Sequence, residues 1–177
     1  GSILFHTSDG RAPETHEIGL SAHAAGIVVW RSDVTLRGLV VRDAEVGIRV
    51  RGDRVTVEDC RVGNARRAVS VGGDGGVVRR LRVDDSAGGV YVGANDVLVE
   101  DSRLFRRHDD VLWSTYDQDE TGIQFYYPSK RGTARRNLVV GFGSCVFVKS
   151  RGGARIEGNT CVHPGRGAFG VGGGCEH

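Results

Sequence analysis

Between positions 106 and 120 the chain concentrates side chains that move protons or bind charge: Arg106, Arg107, His108, Asp109, Asp110, Trp113, Tyr116, Asp117, Asp119 and Glu120. An imidazole titrates near neutrality, so His108 is a candidate general acid or base. The carboxylates of Asp109 and Asp110, with Asp84 and Asp85 from the matching stretch one repeat earlier, are the hard oxygen ligands that Ca²⁺ takes. Ca²⁺ is therefore the candidate cofactor, although no EF-hand-like spacing accompanies these acids. Lysine is scarce, with Lys130 and Lys149 the only two among 24 basic residues. A lone Lys149 near Tyr126 is a second acid–base candidate.

These residues must be held by something regular. The phrase Gly26-Ile27-Val28-Val29 recurs at Gly47, Ala68 and Gly89, three times with a period of 21, and continues at Gly122, Cys145 and Ala168. A second apolar pattern follows in each period, as in Val34-Thr35-Leu36 and Val55-Thr56-Val57. A third follows a polar turn, as in Leu39-Val40-Val41 and Leu138-Val139-Val140. Each period thus holds three short strands of alternating character, and no segment sustains a 3.6-residue period. This predicts an all-β chain, a right-handed parallel β-helix of about six to seven coils of ~21–23 residues stacked at ~4.8 Å. Residues 3–25 are expected to form an N-terminal flank or cap and residues 26–177 the coils. A long loop is expected at 105–121, because the repeat starts at Gly89 and Gly122 lie 33 apart. Glycine, at 28 residues, suits the many tight turns such a solenoid needs. The last strand, 168–174, is glycine-rich with nothing capping it. That predicts a fragment of a longer chain, or an end covered by a partner through end-to-end association.

Alternation places the Ile and Val of the first strand inward and the residues between them outward. The outward positions read Val28 and Trp30, Arg49 and Arg51, Ser70 and Gly72, Tyr91 and Gly93, Gln124 and Tyr126, Phe147 and Lys149. Aromatic, cationic and amide groups on one face suit an anionic polysaccharide, with rings against sugars and guanidinium groups against carboxylates. Arg49, Arg51, Tyr91, Gln124 and Trp113 are the candidate substrate-binding residues.

Composition excludes other classes. With 24 basic and 22 acidic residues the net charge is +2, and no basic stripe stands out, so nucleic acid is not expected as a partner. No run approaches the roughly 18 apolar residues of a membrane span. Cys60, Cys145, Cys161 and Cys175 have no CxxC spacing and read as buried thiols rather than a zinc site.

The phrases GIRVRGDRVTVEDCRV and CVFVKSRGGARIEGNTCV resemble the right-handed β-helix superfamily of pectate-lyase-like proteins, over about residues 26–171. That superfamily holds lyases, hydrolases, epimerases, phage tailspikes and non-catalytic surface proteins, so the resemblance implies the fold more sharply than the function. FVKSRGGARIEGNT is similar to the lysine-bearing strand of the chondroitin-B-lyase and alginate-lyase group. In that group a lysine is the base, an arginine assists and Ca²⁺ holds the substrate carboxylate. The resemblance implies Lys149 as base. The next coil, AFGVGGG, carries no outward arginine, and Arg166 in the preceding turn is the nearest substitute. Tyr126 is the alternative base, with His108 as proton donor. Outward Asp ligands of pectate lyases, the Gly-His-Gly phrase of polygalacturonases and the Asp-Pro-His phrase of mannuronan epimerases are missing. The expected function is an extracytoplasmic enzyme, secreted or periplasmic in a bacterium, that cleaves a polysaccharide by β-elimination or epimerises it at C5. The alternative is a non-catalytic carbohydrate-binding or adhesion solenoid.

Overall fold

The computed structural model describes residues 18–19, 24–106, 120–150 and 152–172. Among them every element is a strand, every strand pairing is parallel, and no helix is long and apolar enough to cross a membrane. The first-strand column comprises β2 (Ile27–Val29), β4 (Val40–Val50), β6 (Arg61–Val71), β9 (Gly88–Val92), β12 (Thr121–Tyr126), β15 (Ser144–Lys149) and β18 (Gly167–Val171). The second column is a separate six-stranded sheet of β3 (Thr35–Arg37), β5 (Thr56–Glu58), β7 (Val77–Arg79), β10 (Leu98–Glu100), β13 (Lys130–Arg135) and β16 (Gly152–Glu157). The third runs through the start of β4 and β6 into β8 (Arg82–Asp84), β11 (Arg103–Phe105), β14 (Leu138–Val140) and β17 (Thr160–Val162). The result is a parallel solenoid of about six turns.

Register follows the repeat read from the sequence. Ile27 pairs with Ile48, then Val69, Val90, Ile123, Val146 and Phe169 in succession. β-Branched residues fill this inner column because they pack well on a pleated surface. Ile48, Val69, Val90, Ile123 and Val146 are all buried, as are Val57, Val78 and Val99 of the second sheet and Val62, Val83 and Leu104 of the third column. Two strands depart from the expected three separate strands per coil. β4 and β6 each run 11 residues without a break, from the third position of one coil into the first of the next. Asp43 and Asn64, at φ 59 and 49, bend these strands at the corner, while Ala44 still pairs with Ala65. Asp and Asn adopt the left-handed region more readily than other side-chain-bearing residues.

Other corners use the same conformation in stacked columns. Between the second and third strands the positive-φ residues are Gly38, Asp59, Arg80, Asp101, Arg136 and Gly158. Arg80 grips Asp59 with two hydrogen bonds, at 2.6 and 2.9 Å, and Arg136 grips Asp101 at 2.8 and 2.8 Å. At the corner that leads into the second strand, Arg54 holds Asp33 and Arg131 holds Asp96 in the same bidentate way. These arginines hold all four carboxyls below the usual value of 3.8. One position earlier, at the end of the second strand, charge alternates strictly along the stack. Arg37 pairs in register with Glu58, then Arg79, Glu100, Arg135 and Glu157.

Inside the same corner lies a polar ladder. Asn137 is buried. Its Oδ1 accepts from the Ser102 N–H at 3.0 Å, and its Nδ2 donates to the Val99 carbonyl at 3.0 Å and to Asn159 Oδ1 at 2.9 Å. Asn159 Oδ1 also accepts from the Asn137 N–H at 3.0 Å, and Asn159 Nδ2 donates to the Ala134 carbonyl at 2.8 Å. Corner backbone groups that the strand ladders leave over are satisfied in this way.

Cys60 and Cys145 are buried free thiols, as expected, and Cys161 is half-buried and free. Burial pushes Cys60 up to about 11. Burial, then the neighbouring Cys161, pushes Cys145 up to about 12. Such thiols are poor nucleophiles and serve as small apolar fillers. Cys175 lies outside the described residues.

Of the expected flank, Ile18–Gly19 form β1, which pairs with Val41 and Arg42. The long insertion is tighter than 105–121, since Phe105 ends β11 and Thr121 opens β12. At the far end Phe169 is 53% and Val171 73% exposed, because no further strand covers β18 among the described residues.

Candidate functional site

The outward side chains of the first column form two parallel rows. One runs Val28, Arg49, Ser70, Tyr91, Gln124, Phe147, Gly170 in direct register. The other includes Tyr126 and Lys149, aligned on adjacent strands. The Lys149 ammonium sits 5.4 Å from the centre of the Tyr126 ring. The rings of Tyr91 and Tyr126 are 5.5 Å apart and tilted by 35°, and the Arg67 guanidinium lies 4.6 Å over Tyr91. A cation–aromatic–aromatic–cation chain therefore crosses four coils, and each contact falls in the range where ring quadrupoles attract.

Beside this chain lies a cleft of about 370 Å³, lined among others by Thr121, Gln124, Phe147, Lys149, Arg166 and Phe169. The glycines of the last strand have a packing reason here. A Cβ on Gly170 would stand 2.5 Å from Phe147 Cδ2, and one on Gly172 2.8 Å from Phe147 Cζ. The Phe147 ring thus lies across a bare strand and forms part of the cleft's apolar wall.

Arg166 reaches the root of the long insertion. Its guanidinium is 3.4 Å from one Glu120 oxygen, and Arg106 is 3.7 Å from the other. Arg106 also donates to the Ala87 carbonyl at 3.3 Å. Glu120 therefore ties together the two ends of the insertion and the turn that precedes β18.

A second, smaller pocket lies on the other side of Gln124, between Arg67, Gly88, Tyr91 and Thr121. Gln124 is the wall between the two spaces. Alternation placed it outward, and it is outward, yet it is only 3% exposed, flanked in register by Tyr91 and Phe147. Its Nε2 makes no hydrogen bond. A buried donor left unmade costs about 1–3 kcal/mol, and native structures tolerate few.

Not every expected residue joins this site. Arg49 lies in the Gln124 row but three strands away, about 14 Å at the usual spacing. Its Nη2 donates to the Ala24 carbonyl at 3.5 Å, and Arg51 covers the Trp30 ring at 5.7 Å. These two arginines belong to the opposite end of the face, not to the cleft. Asp84 does not present open oxygens to a cation. Arg61 donates to it at 2.6 Å, and Arg82 donates to both of its oxygens at 3.1 Å. Asp85 caps a corner at φ 54, with its N–H on the Phe105 carbonyl. No group of three or more His, Cys, Asp or Glu side chains is placed to hold a metal among the described residues. The described residues therefore do not fit a Ca²⁺ site. His108, Asp109, Asp110 and Trp113 lie outside the described residues.

Arg67 and Phe147 were missed as site residues. Arg67 aligns with Val46 and Gly88, so a cation is the odd type in its own column, which is the signal that could have found it. Phe147 was visible as an outward aromatic, but the glycine strand that receives it was read only as a weak end.

No curated protein and no solved structure matches the chain. A family model described as the right handed beta helix region matches residues 25–177. With that match over most of the chain, and with parallel coils around a stacked apolar inner column, the chain belongs to the right-handed β-helix family.

Proposed function

We propose that this β-helix is an extracytoplasmic, carbohydrate-active protein that acts on an anionic polysaccharide, by β-elimination or C5 epimerisation of a uronate. The observation that carries this reading is the cleft in which Lys149, Arg166 and Gln124 converge beside Tyr126, on the first-strand face. Among the described residues that line it there is no carboxylate, so its charge is cationic and suits an acidic sugar.

Both reactions begin with loss of the proton from C5, α to the uronate carboxylate. Lys149 or Tyr126, one strand spacing apart, takes that proton as base. Positive charge from Arg166 stabilises the electrons that move onto the carboxylate. In elimination, those electrons then form the C4–C5 double bond. The C4–O4 bond breaks, and the leaving oxygen receives a proton from the partner of the pair. In epimerisation, the partner of the pair instead delivers a proton to C5 from the opposite face, while the base keeps the proton it took. Phe147 offers an apolar plate against which a sugar ring packs.

The test is direct. Elimination leaves an unsaturated uronate that absorbs in the ultraviolet. Alginate, pectate, chondroitin, heparan and hyaluronan should be scanned for new absorbance, and their uronates for inverted C5. Product on one polymer supports the reading; absence of both products across the panel overturns the catalytic form of it.

A second reading has its own observation. Trp30 is 72% exposed, with Arg51 over it, at the end of the face away from the cleft. A long face with a distal aromatic–cation pair suits a non-catalytic carbohydrate-binding or adhesion solenoid. Saturable binding of a panel polymer, with neither product formed, favours it.

A further inference from the structure

We infer that Trp30 and Arg51 form a distal subsite for the same polyuronate chain that enters the cleft, and that this subsite makes binding depend on chain length. The assignment rests on the reading of the face as a polyuronate site. It adds the course of the chain along the face and the place where a second sugar acid is held.

Trp30, Arg51, Gly72, Gly93, Tyr126 and Lys149 occupy one outward row. Each follows a member of the aligned inner series Val29, Val50, Val71, Val92, Phe125 and Val148. The parallel ladder continues into the row. The Arg51 N–H donates to the Val29 carbonyl at 2.7 Å, the Gly72 N–H to Val50 at 2.9 Å and the Gly93 N–H to Val71 at 2.9 Å. The row therefore runs along the stack from one end of the face to the cleft.

At its far end the Trp30 ring is 72% exposed, with the Arg51 guanidinium 5.7 Å from its centre. Arg54, Arg80, Arg131 and Arg136 are each gripped by a stacked aspartate. Arg51 has no carboxylate partner among the described residues. An exposed aromatic face beside an uncommitted guanidinium matches a uronate, whose ring packs on the ring and whose carboxylate meets the planar fork. No carboxylate stands in either outward row between Val28 and Lys149, so the whole path favours a polyanion.

Between the two ends the row is bare. Neither Gly72 nor Gly93 has a positive φ. A Cβ on Gly72 would meet only the Val50 carbonyl oxygen at 3.4 Å, and one on Gly93 would stand 3.6 Å from Tyr91 Cε1, both ordinary contacts. Gly73 differs, since its Cβ would stand 1.9 Å from the Gly52 carbonyl oxygen. Packing thus requires glycine at 73 and not at 72 or 93. The side chains missing from 72 and 93 leave a trough, edged by Tyr91, that is open from Arg51 to Tyr126. One residue of an extended 1→4-linked sugar chain advances about one strand spacing, ~4.8 Å, so the row seats about one sugar per coil. A trimer laid from Lys149 ends over Gly93, and about six sugars reach Trp30.

Calorimetry with trimeric and hexameric oligomannuronate, oligoguluronate and oligogalacturonate reads this on the whole chain. The wild type is expected to bind the hexamer of at least one series about 10–100-fold more tightly than its trimer, the range for an added charge-assisted contact. Trp30→Ala and Arg51→Gln, both at exposed positions, should each cut that ratio by at least about 5-fold. Gly72→Val should cut it likewise by standing in the trough, with the urea midpoint unchanged or raised, because a β-branched residue suits extended backbone better than glycine. A midpoint that falls would make Gly72 a structural glycine and overturn its role as open floor. Equal wild-type affinity for hexamer and trimer, or a ratio that Trp30→Ala and Arg51→Gln leave intact, overturns the distal subsite while the proposed function stands. Wild-type failure to bind any of the uronates overturns both.

Discussion

Replacing Asn137 with alanine should destabilise the solenoid by about 2–4 kcal/mol, and the figure can be assembled from its partners. The side chain is buried and has three of them: the Ser102 N–H, the Val99 carbonyl and Asn159 Oδ1. Asn159 Oδ1 keeps the backbone N–H of residue 137 and is not orphaned. Ser102 N–H loses its acceptor inside a buried corner, which costs about 1–3 kcal/mol. The missing amide adds lost hydrogen-bond energy of about 1 kcal/mol and a small void. Urea denaturation followed by circular dichroism measures this, and the midpoint should fall with the slope unchanged. Asn159→Ala is the internal comparison. That residue is half-exposed, so water replaces its partners, and its loss should be less than half as large. A loss under about 1 kcal/mol for Asn137→Ala, or equal losses for the two, would refute the reasoning that the ladder satisfies an otherwise orphaned backbone.

If the cleft is catalytic, Lys149→Ala and Tyr126→Phe should each lower the rate of unsaturated uronate formation about 10²–10⁴-fold, with the far-ultraviolet spectrum unchanged. Ile123→Ala, by contrast, truncates the inner column and should lower the denaturation midpoint by an amount equivalent to about 2–5 kcal/mol. Gly132→Ala should destabilise by about 1–3 kcal/mol, since the new Cβ would stand 2.3 Å from Phe125 Cε1, and Gly132→Ala/Phe125→Val should recover part of the loss in the same assay. Acid should act through the corner arginines. Asp33, Asp59, Asp96 and Asp101 have folded values below 3.8, so their stabilisation is fully present above the unfolded value and is lost as pH falls through the folded ones. Asp101→Asn should flatten the stability curve below pH 3.8, and a curve as steep as the wild type's would contradict this.

Much of the fold was legible because a solenoid writes its register into the chain. The spacing from Gly26 to Ala168 correctly aligned Ile27, Ile48, Val69, Val90, Ile123 and Val146, and alternation correctly turned them inward. Tyr126 and Lys149 were correctly placed side by side for the same reason. What stayed hidden depends on side-chain reach across coils. Gln124 was read as accessible because it faces outward, but large neighbours on both sides bury an outward residue. Asp84 was read as a free ligand because Arg61, 23 residues away in the chain, lies next to it only after stacking. Arg49 and Arg51 share the face with Lys149 but not its neighbourhood, and composition of a face says nothing of distance along it.

The alternating column from Arg37 to Glu157 also acts as a parity check on assembly. A repeat chain can misfold by skipping a whole coil, since every coil offers a similar apolar inner surface. In this column a skip of one coil sets Glu58 against Glu100, or Arg79 against Arg135, and like charges directly opposite are unfavourable. The neighbouring corner repeats the penalty, since Asp59 would then face Asp101. A skip of two coils restores Glu58 to an arginine, Arg135. The surface thus distinguishes odd slips from even ones where the core cannot. Lengthening or shortening such a chain is tolerated most easily in pairs of coils.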